Sequence, residues 1–142
     1  MTETLAESVV RRLQPAPFWD HVGAALVDAS PGRAVVRIPR RAEFGRSGEA
    51  GGSAHGGIVA AALDMAASCA MLTMLGEGDG RRATVDLSVH YLAPANGDLV
   101  ATATIRRSGG RIATIDIELE SEGVLAALGR ATFMIIRPQG SG

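Results

Sequence analysis

Apolar residues recur along this chain with two different periods, and the change of period divides it into segments. Near the N-terminus Leu5, Ala6, Val9, Val10 and Leu13 fall at helical spacing, which predicts a short amphipathic helical segment within 3–14. Pro15-Ala16-Pro17 then breaks it, and Phe18-Trp19 supplies two of the few aromatic side chains, placed to anchor this segment against the body. Val22 to Ala29 and Arg33 to Pro39 read as two strands joined at Ser30-Pro31-Gly32, a turn whose Pro and Gly supply the required backbone angles. Residues 40–54 are rich in Gly, Arg and Ser and show no period, so they are expected to form a loop delivering the chain to His55. From Gly56 to Leu75 the chain is apolar almost throughout and reads as a helix.

Beyond Gly76-Glu77-Gly78-Asp79-Gly80 come four strand-like runs, with turn signals at Asn96-Gly97, Ser108-Gly109-Gly110 and Glu122-Gly123. They predict an antiparallel meander. Between Ala83 and Leu92 the residues alternate, which puts Thr84, Asp86, Ser88 and His90 on one face and Val85, Leu87, Val89 and Tyr91 on the other. One buried helix with this much strand predicts an α+β architecture whose sheet wraps round the helix. The 142 residues are expected to form one domain, 1–142, ending in a flexible tail at 138–142.

Composition removes several function classes. The formal net charge is −1, and the basic residues are all Arg, scattered singly or in pairs without interleaved aromatics, so nucleic acid is not an expected partner. The pairs Arg11-Arg12, Arg40-Arg41, Arg81-Arg82 and Arg106-Arg107 read as solvated surface; the alternative is contact with phosphates of a nucleotide-bearing ligand. Cys69 is the single cysteine, which excludes an intramolecular disulfide and leaves no metal-ligand spacing. No metal or redox cofactor is implied. The N-terminus lacks a basic segment followed by an apolar core, and a cytoplasmic location is expected.

One residue does not fit a simple packed helix. Burying an ionised Asp without a partner costs several kcal/mol, so a chain needing only a core helix would carry Ala or Leu at position 64. Two readings compete with a working role for Asp64. The helix is nearly long enough to cross a bilayer, but its many Ala residues are weakly hydrophobic and the Asp sits near its middle, so a membrane is not expected. Alternatively, Asp64 is structural and bonds to a neighbouring backbone N–H. At the helix start, Gly56 and Gly57 would leave unpaired N–H groups at the positive end, open to an anion or a polarised carbonyl oxygen. Asp64 lies roughly 12 Å along the axis from that end at about 1.5 Å per residue, too far to serve a carbonyl held by its own helix start. Two copies of the helix running antiparallel across a twofold axis would bring the donor end of one to Asp64 of the other.

Several motifs resemble those of the hotdog-fold acyl-CoA thioesterases of the phenylacetate-pathway (PaaI) type, related to 4-hydroxybenzoyl-CoA thioesterase. They are His55-Gly56-Gly57, Asp64 nine positions after the His, Thr84-Val85-Asp86-Leu87, Tyr91-Leu92-Ala93-Pro94-Ala95 with Gly97, and Arg107-Ser108-Gly109-Gly110-Arg111. The resemblance spans roughly Ala42 to Ile136. It implies a five- or six-stranded antiparallel sheet round a central helix, a dimer with a continuous sheet, and often a dimer of dimers. It also implies that Gly56 donates its N–H to a thioester carbonyl, that Asp64 of the partner is base or nucleophile, and that Thr84 helps hold the water. As a strand residue, Thr84 has a purely structural alternative. Gly57, Ser68 and His55 are expected to contact substrate, with His55 capping the helix and fixing the loop rather than acting as a base. His90 is placed at a cavity wall or against a neighbour, His21 on the surface, and no Gly-x-Ser-x-Gly elbow is present. Where the family commonly has Asn or Gln six residues before the His, this chain has Glu49, which when ionised accepts but cannot donate a hydrogen bond. The expected activity is hydrolysis of an acyl-CoA thioester. The alternatives are a non-catalytic module that binds acyl-CoA or a related ligand, and a hotdog dehydratase.

Overall fold

The computed structural model describes residues 2–46 and 52–139. Its first helix, α1 (Leu5–Leu13), starts at Thr4, whose hydroxyl accepts the Glu7 N–H at 3.1 Å while the Glu7 carboxylate accepts the Thr4 N–H at 2.7 Å. A second helix, α2 (Pro17–Val22), was not anticipated from the pattern; Pro17 opens it, at a position where a missing N–H costs nothing. Val22 therefore ends a helix, and the first strand, β1 (Ala25–Ser30), begins three residues later than expected. β1 pairs with β2 (Arg33–Ile38) across the Pro31-Gly32 turn.

A 3-10 turn at Ala42–Phe44 leads toward α3 (Gly56–Met74), and then come β3 (Arg81–Tyr91), β4 (Leu99–Ser108), β5 (Ile112–Ser121) and β6 (Val124–Ile136). All six strands form one antiparallel sheet in the order β1-β2-β4-β5-β6-β3. The meander expected of the last four strands holds only for β4, β5 and β6. β3 crosses to the far edge and pairs with β6, because the connection after it contains Pro94, which has no N–H for a ladder, and is tied elsewhere: Ala54 N–H donates to the Ala95 carbonyl at 2.8 Å.

A second departure changes the face on which a side chain lies. The pairs Thr84↔Phe133 and Asp86↔Thr132 leave Val85 without a partner, a bulge that interrupts the alternation. Thr84 therefore shares the helix-facing side with Leu87 and Val89, opposite to the face expected from strict alternation, while Asp86, Ser88 and His90 stay on the outer face with Asp116 and Arg130.

α3 touches every strand of the sheet. Its apolar residues are long enough in sequence to cross a membrane, with mean hydropathy 1.7, but Ala62, Leu63, Ala66, Ala67 and Ala70 are buried among Val36, Ala101, Ala103, Ile115 and Ile117. Small residues let the helix sit close to the sheet. At Gly129 a Cβ would lie 3.1 Å from Leu63 Cδ1, so the leucine occupies the space the glycine leaves. At the other end, Arg12 of α1 donates to the carbonyls of Leu75 at 2.5 Å and Leu72 at 2.6 Å, satisfying acceptors that the helix terminus leaves open.

Candidate active site

The approach to α3 is pinned by backbone bonds. His55 N–H donates to the Phe44 carbonyl at 2.6 Å, Arg46 N–H to Ser53 at 3.0 Å, and Gly45 bridges to Ala54. These contacts place His55 at the N-cap, where its Nδ1 accepts the Gly57 N–H at 2.8 Å. With Nδ1 accepting, the proton of the neutral ring sits on Nε2. Gly57 is thereby occupied, whereas the Gly56 N–H has no hydrogen-bond partner among the described residues. Tyr91, at the end of β3, donates its hydroxyl to the Gly56 carbonyl at 2.9 Å. A Cβ on residue 56 would sit 3.2 Å from the Tyr91 ring, so any larger residue there would press on that ring. His55, Gly56, Gly57 and Tyr91, with Arg46 and the Leu92-Ala93-Pro94-Ala95 segment, line a cavity of about 580 Å³. A polarisable oxygen in that cavity would meet one free N–H at the positive end of a helix.

Asp64 lies two turns further on, half-buried, and does not line this cavity. Its Oδ1 accepts the Thr84 hydroxyl at 2.7 Å, and its Oδ2 has no hydrogen-bond partner among the described residues. The structural alternative, in which Asp64 takes a backbone N–H, is not what the fold provides. Thr84 reaches Asp64 only because of the bulge at Val85. One turn beyond Asp64, the Ser68 hydroxyl accepts from Arg82 Nε at 2.8 Å, with the Ser68 carbonyl at 3.2 Å from the same nitrogen. Burial lowers the Arg82 pKa, offset in part by the neighbouring Cys69 and Asp64. Cys69 is buried, and that burial pushes its thiol up to about 12, which disfavours the thiolate.

Within one chain the fold thus gathers the predicted residues into two groups: His55, Gly56 and Gly57 at the start of α3, and Asp64 and Ser68 of α3 with Thr84 of β3 between helix and strand. Glu49 lies outside the described residues. Two residues beside these groups escaped the sequence reading: Tyr91, treated only as part of a strand motif, and Arg82, read as solvated surface. Arg82 is instead half-buried, and the signal was its position two residues before Thr84, on the same strand face. His90 and Asp116 lie on the outer face of the sheet, away from both groups.

A six-stranded antiparallel sheet wrapped round one long helix, with a glycine pair at the helix start, is the hotdog fold. A family model described as Thioesterase superfamily matches residues 51–127, and the chain belongs to that family. Human acyl-coenzyme A thioesterase 13 is 30% identical over 138 residues, covering 93% of this chain and 94% of that protein. A Halobacterium salinarum protein that carries only a provisional esterase name is 34% identical over 124 residues, 82% of each. Among solved structures, the Escherichia coli PaaI protein from the phenylacetic acid degradation operon matches with a TM-score of 0.80 at 21% identity, covering 94% of this chain and 96% of that one, a likeness of fold.

Proposed function

We propose that this protein hydrolyses acyl-CoA thioesters at sites shared between two copies of the chain. The carrying observation is the separation of the two half-sites: a free Gly56 N–H opens into the cavity, while the Asp64–Thr84 pair stands two turns along the same helix, outside it. An antiparallel second copy would bring its Asp64 to the first chain's cavity. The edge of β3 supports this reading, since among the described residues no strand pairs with its far side, and exposed Tyr91 ends the strand with exposed Leu92 following it. The Gly56 N–H takes the developing negative charge on the thioester oxygen. Thr84 holds Oδ1 of Asp64 and leaves Oδ2 to accept a proton from water as the water oxygen bonds to the carbonyl carbon. The C–S bond then breaks, and the proton passes to the leaving thiolate of CoA. The named activity of human acyl-coenzyme A thioesterase 13 supports the substrate class.

The test is release of free thiol from a panel of acyl-CoA esters by the purified protein and by Asp64→Asn. We expect kcat to fall at least about 10³-fold in the variant, with binding of a non-hydrolysable acyl-CoA analogue retained. Binding without turnover in the parent protein would favour the non-catalytic module instead. Mixing Asp64→Asn chains with chains carrying Gly56→Val should recover part of the activity through hybrids with one intact site. Failure to recover it despite demonstrated subunit exchange would rule out a shared site.

A further inference from the structure

α3 is joined to the edge strand β3 by two rungs between side chains, Asp64 to Thr84 and Ser68 to Arg82, in addition to the Tyr91 hydroxyl on the Gly56 carbonyl at its other end. Their spacing is matched. Four helical residues advance about 6 Å and two strand residues about 6.6 Å, so an antiparallel strand can satisfy both rungs at once only in one register. Thr84 and Arg82 pair across the ladder with Phe133 and Ile135, both buried, which places the two side chains on the helix-facing side. The bulge at Val85 immediately follows Thr84 and interrupts the ladder to β6 there. Arg82 is held inside rather than released to solvent: its Nε binds both oxygens of Ser68, and the nearby Asp64 charge offsets part of the cost of its burial. Half-burying a cation is costly, and holding it by hydrogen bonds against α3 points to a role.

We propose that Arg82 is a positioning residue for the Asp64 carboxylate, acting through Ser68 to fix the register of β3 on α3 and keep the Thr84 hydroxyl within bonding distance of Asp64. The proposal rests on the role given to Asp64 above for its catalytic consequence, and on geometry alone for its structural one. The two parts separate experimentally.

The experiment compares the parent protein with Arg82→Met, Arg82→Lys and Ser68→Ala, each alone and combined with Asp64→Asn. Two readouts are taken: steady-state kinetics on the best acyl-CoA substrate, and the NMR shift of the Thr84 methyl group. In the parent background Asp64→Asn should move the Thr84 methyl resonance, reporting the first rung. In Arg82→Met that response should fall by about half or more, kcat should drop about tenfold, and KM should stay within about twofold, because a misplacement near 1 Å acts on the transition state more than on binding. Arg82→Lys, which retains a donor, should recover kcat to within about threefold of the parent, and Ser68→Ala, which leaves the carbonyl acceptor, should cost about two- to threefold. A Thr84 response and kcat unchanged in a folded Arg82→Met would overturn the proposal. Should Arg82→Met fail to fold, an unchanged Thr84 response and kcat in Ser68→Ala would overturn it equally. A parent protein that cleaves no thioester defeats the proposed function, while the Thr84 response still decides the role of Arg82.

Discussion

The two flanks of α3 are built by different rules. Toward β2, β4 and β5 the helix buries Ala62, Leu63, Ala66 and Ala70 against Val36, Ala101, Ala103, Ile115 and Ile117, and every one of these side chains is apolar. Toward β3 it offers Asp64 and Ser68, which meet Thr84 and Arg82 through hydrogen bonds. Apolar packing is non-directional and supplies stability in proportion to area. Hydrogen bonds between side chains contribute little net free energy but specify distance and orientation. The comparison separates the flank that makes the fold stable from the flank that makes it chemically specific.

The largest effect should come from the apolar flank. Leu63→Ala removes a fully buried side chain seated over Gly129 and should cost about 2–5 kcal/mol in denaturant unfolding, with kcat per folded molecule unchanged. On the polar flank the balance should reverse. Thr84→Val keeps the shape and loses the hydroxyl, and should lower kcat about 10- to 100-fold while shifting stability by less than about 1 kcal/mol. If instead Thr84→Val unfolds the protein and leaves turnover intact, the division of labour between the flanks is wrong.

A smaller effect is expected at the donor end. Tyr91→Phe retains the ring beside Gly56 but removes the bond to its carbonyl, and should reduce kcat/KM by about threefold in the thiol-release assay. The smallest lies on the outer face of the sheet, remote from both flanks. Hydrogen bonding from Arg130, then from Arg106, holds the Asp116 carboxyl below its ordinary range. A group with a lowered folded-state pKa adds stability above its unfolded value and loses it as pH falls through the folded one, here below about pH 4. Asp116→Asn should therefore be slightly less stable at pH 7 and show a shallower loss of Tm between pH 4 and pH 2 in thermal melts; because the pair is largely solvent-screened, the change should be small.

Much of this molecule was legible in the chain itself. Local signals are enough for α1, the β1–β2 hairpin, α3 and the strand runs after it, because periodicity and turn chemistry act over a few residues and need no partner. The same local logic singled out Asp64 as an anomaly and Gly56 as a donor, since the cost of a charge in an apolar helix and the unpaired N–H groups of a helix start follow from residue types alone, whereas the expected free Gly57 N–H is taken by the His55 cap. The tertiary structure decided what depends on distant partners. Which strand β3 joins is set by competition among edges, and β6 wins it from the far end of the chain. The Val85 bulge is invisible in an alternating pattern, because a bulge exists only relative to the strand beside it, yet it turns Thr84 toward Asp64. Arg82 shows the same limit: an Arg-Arg pair reads as surface until the fold brings one of the two against Ser68, 14 residues earlier in the chain.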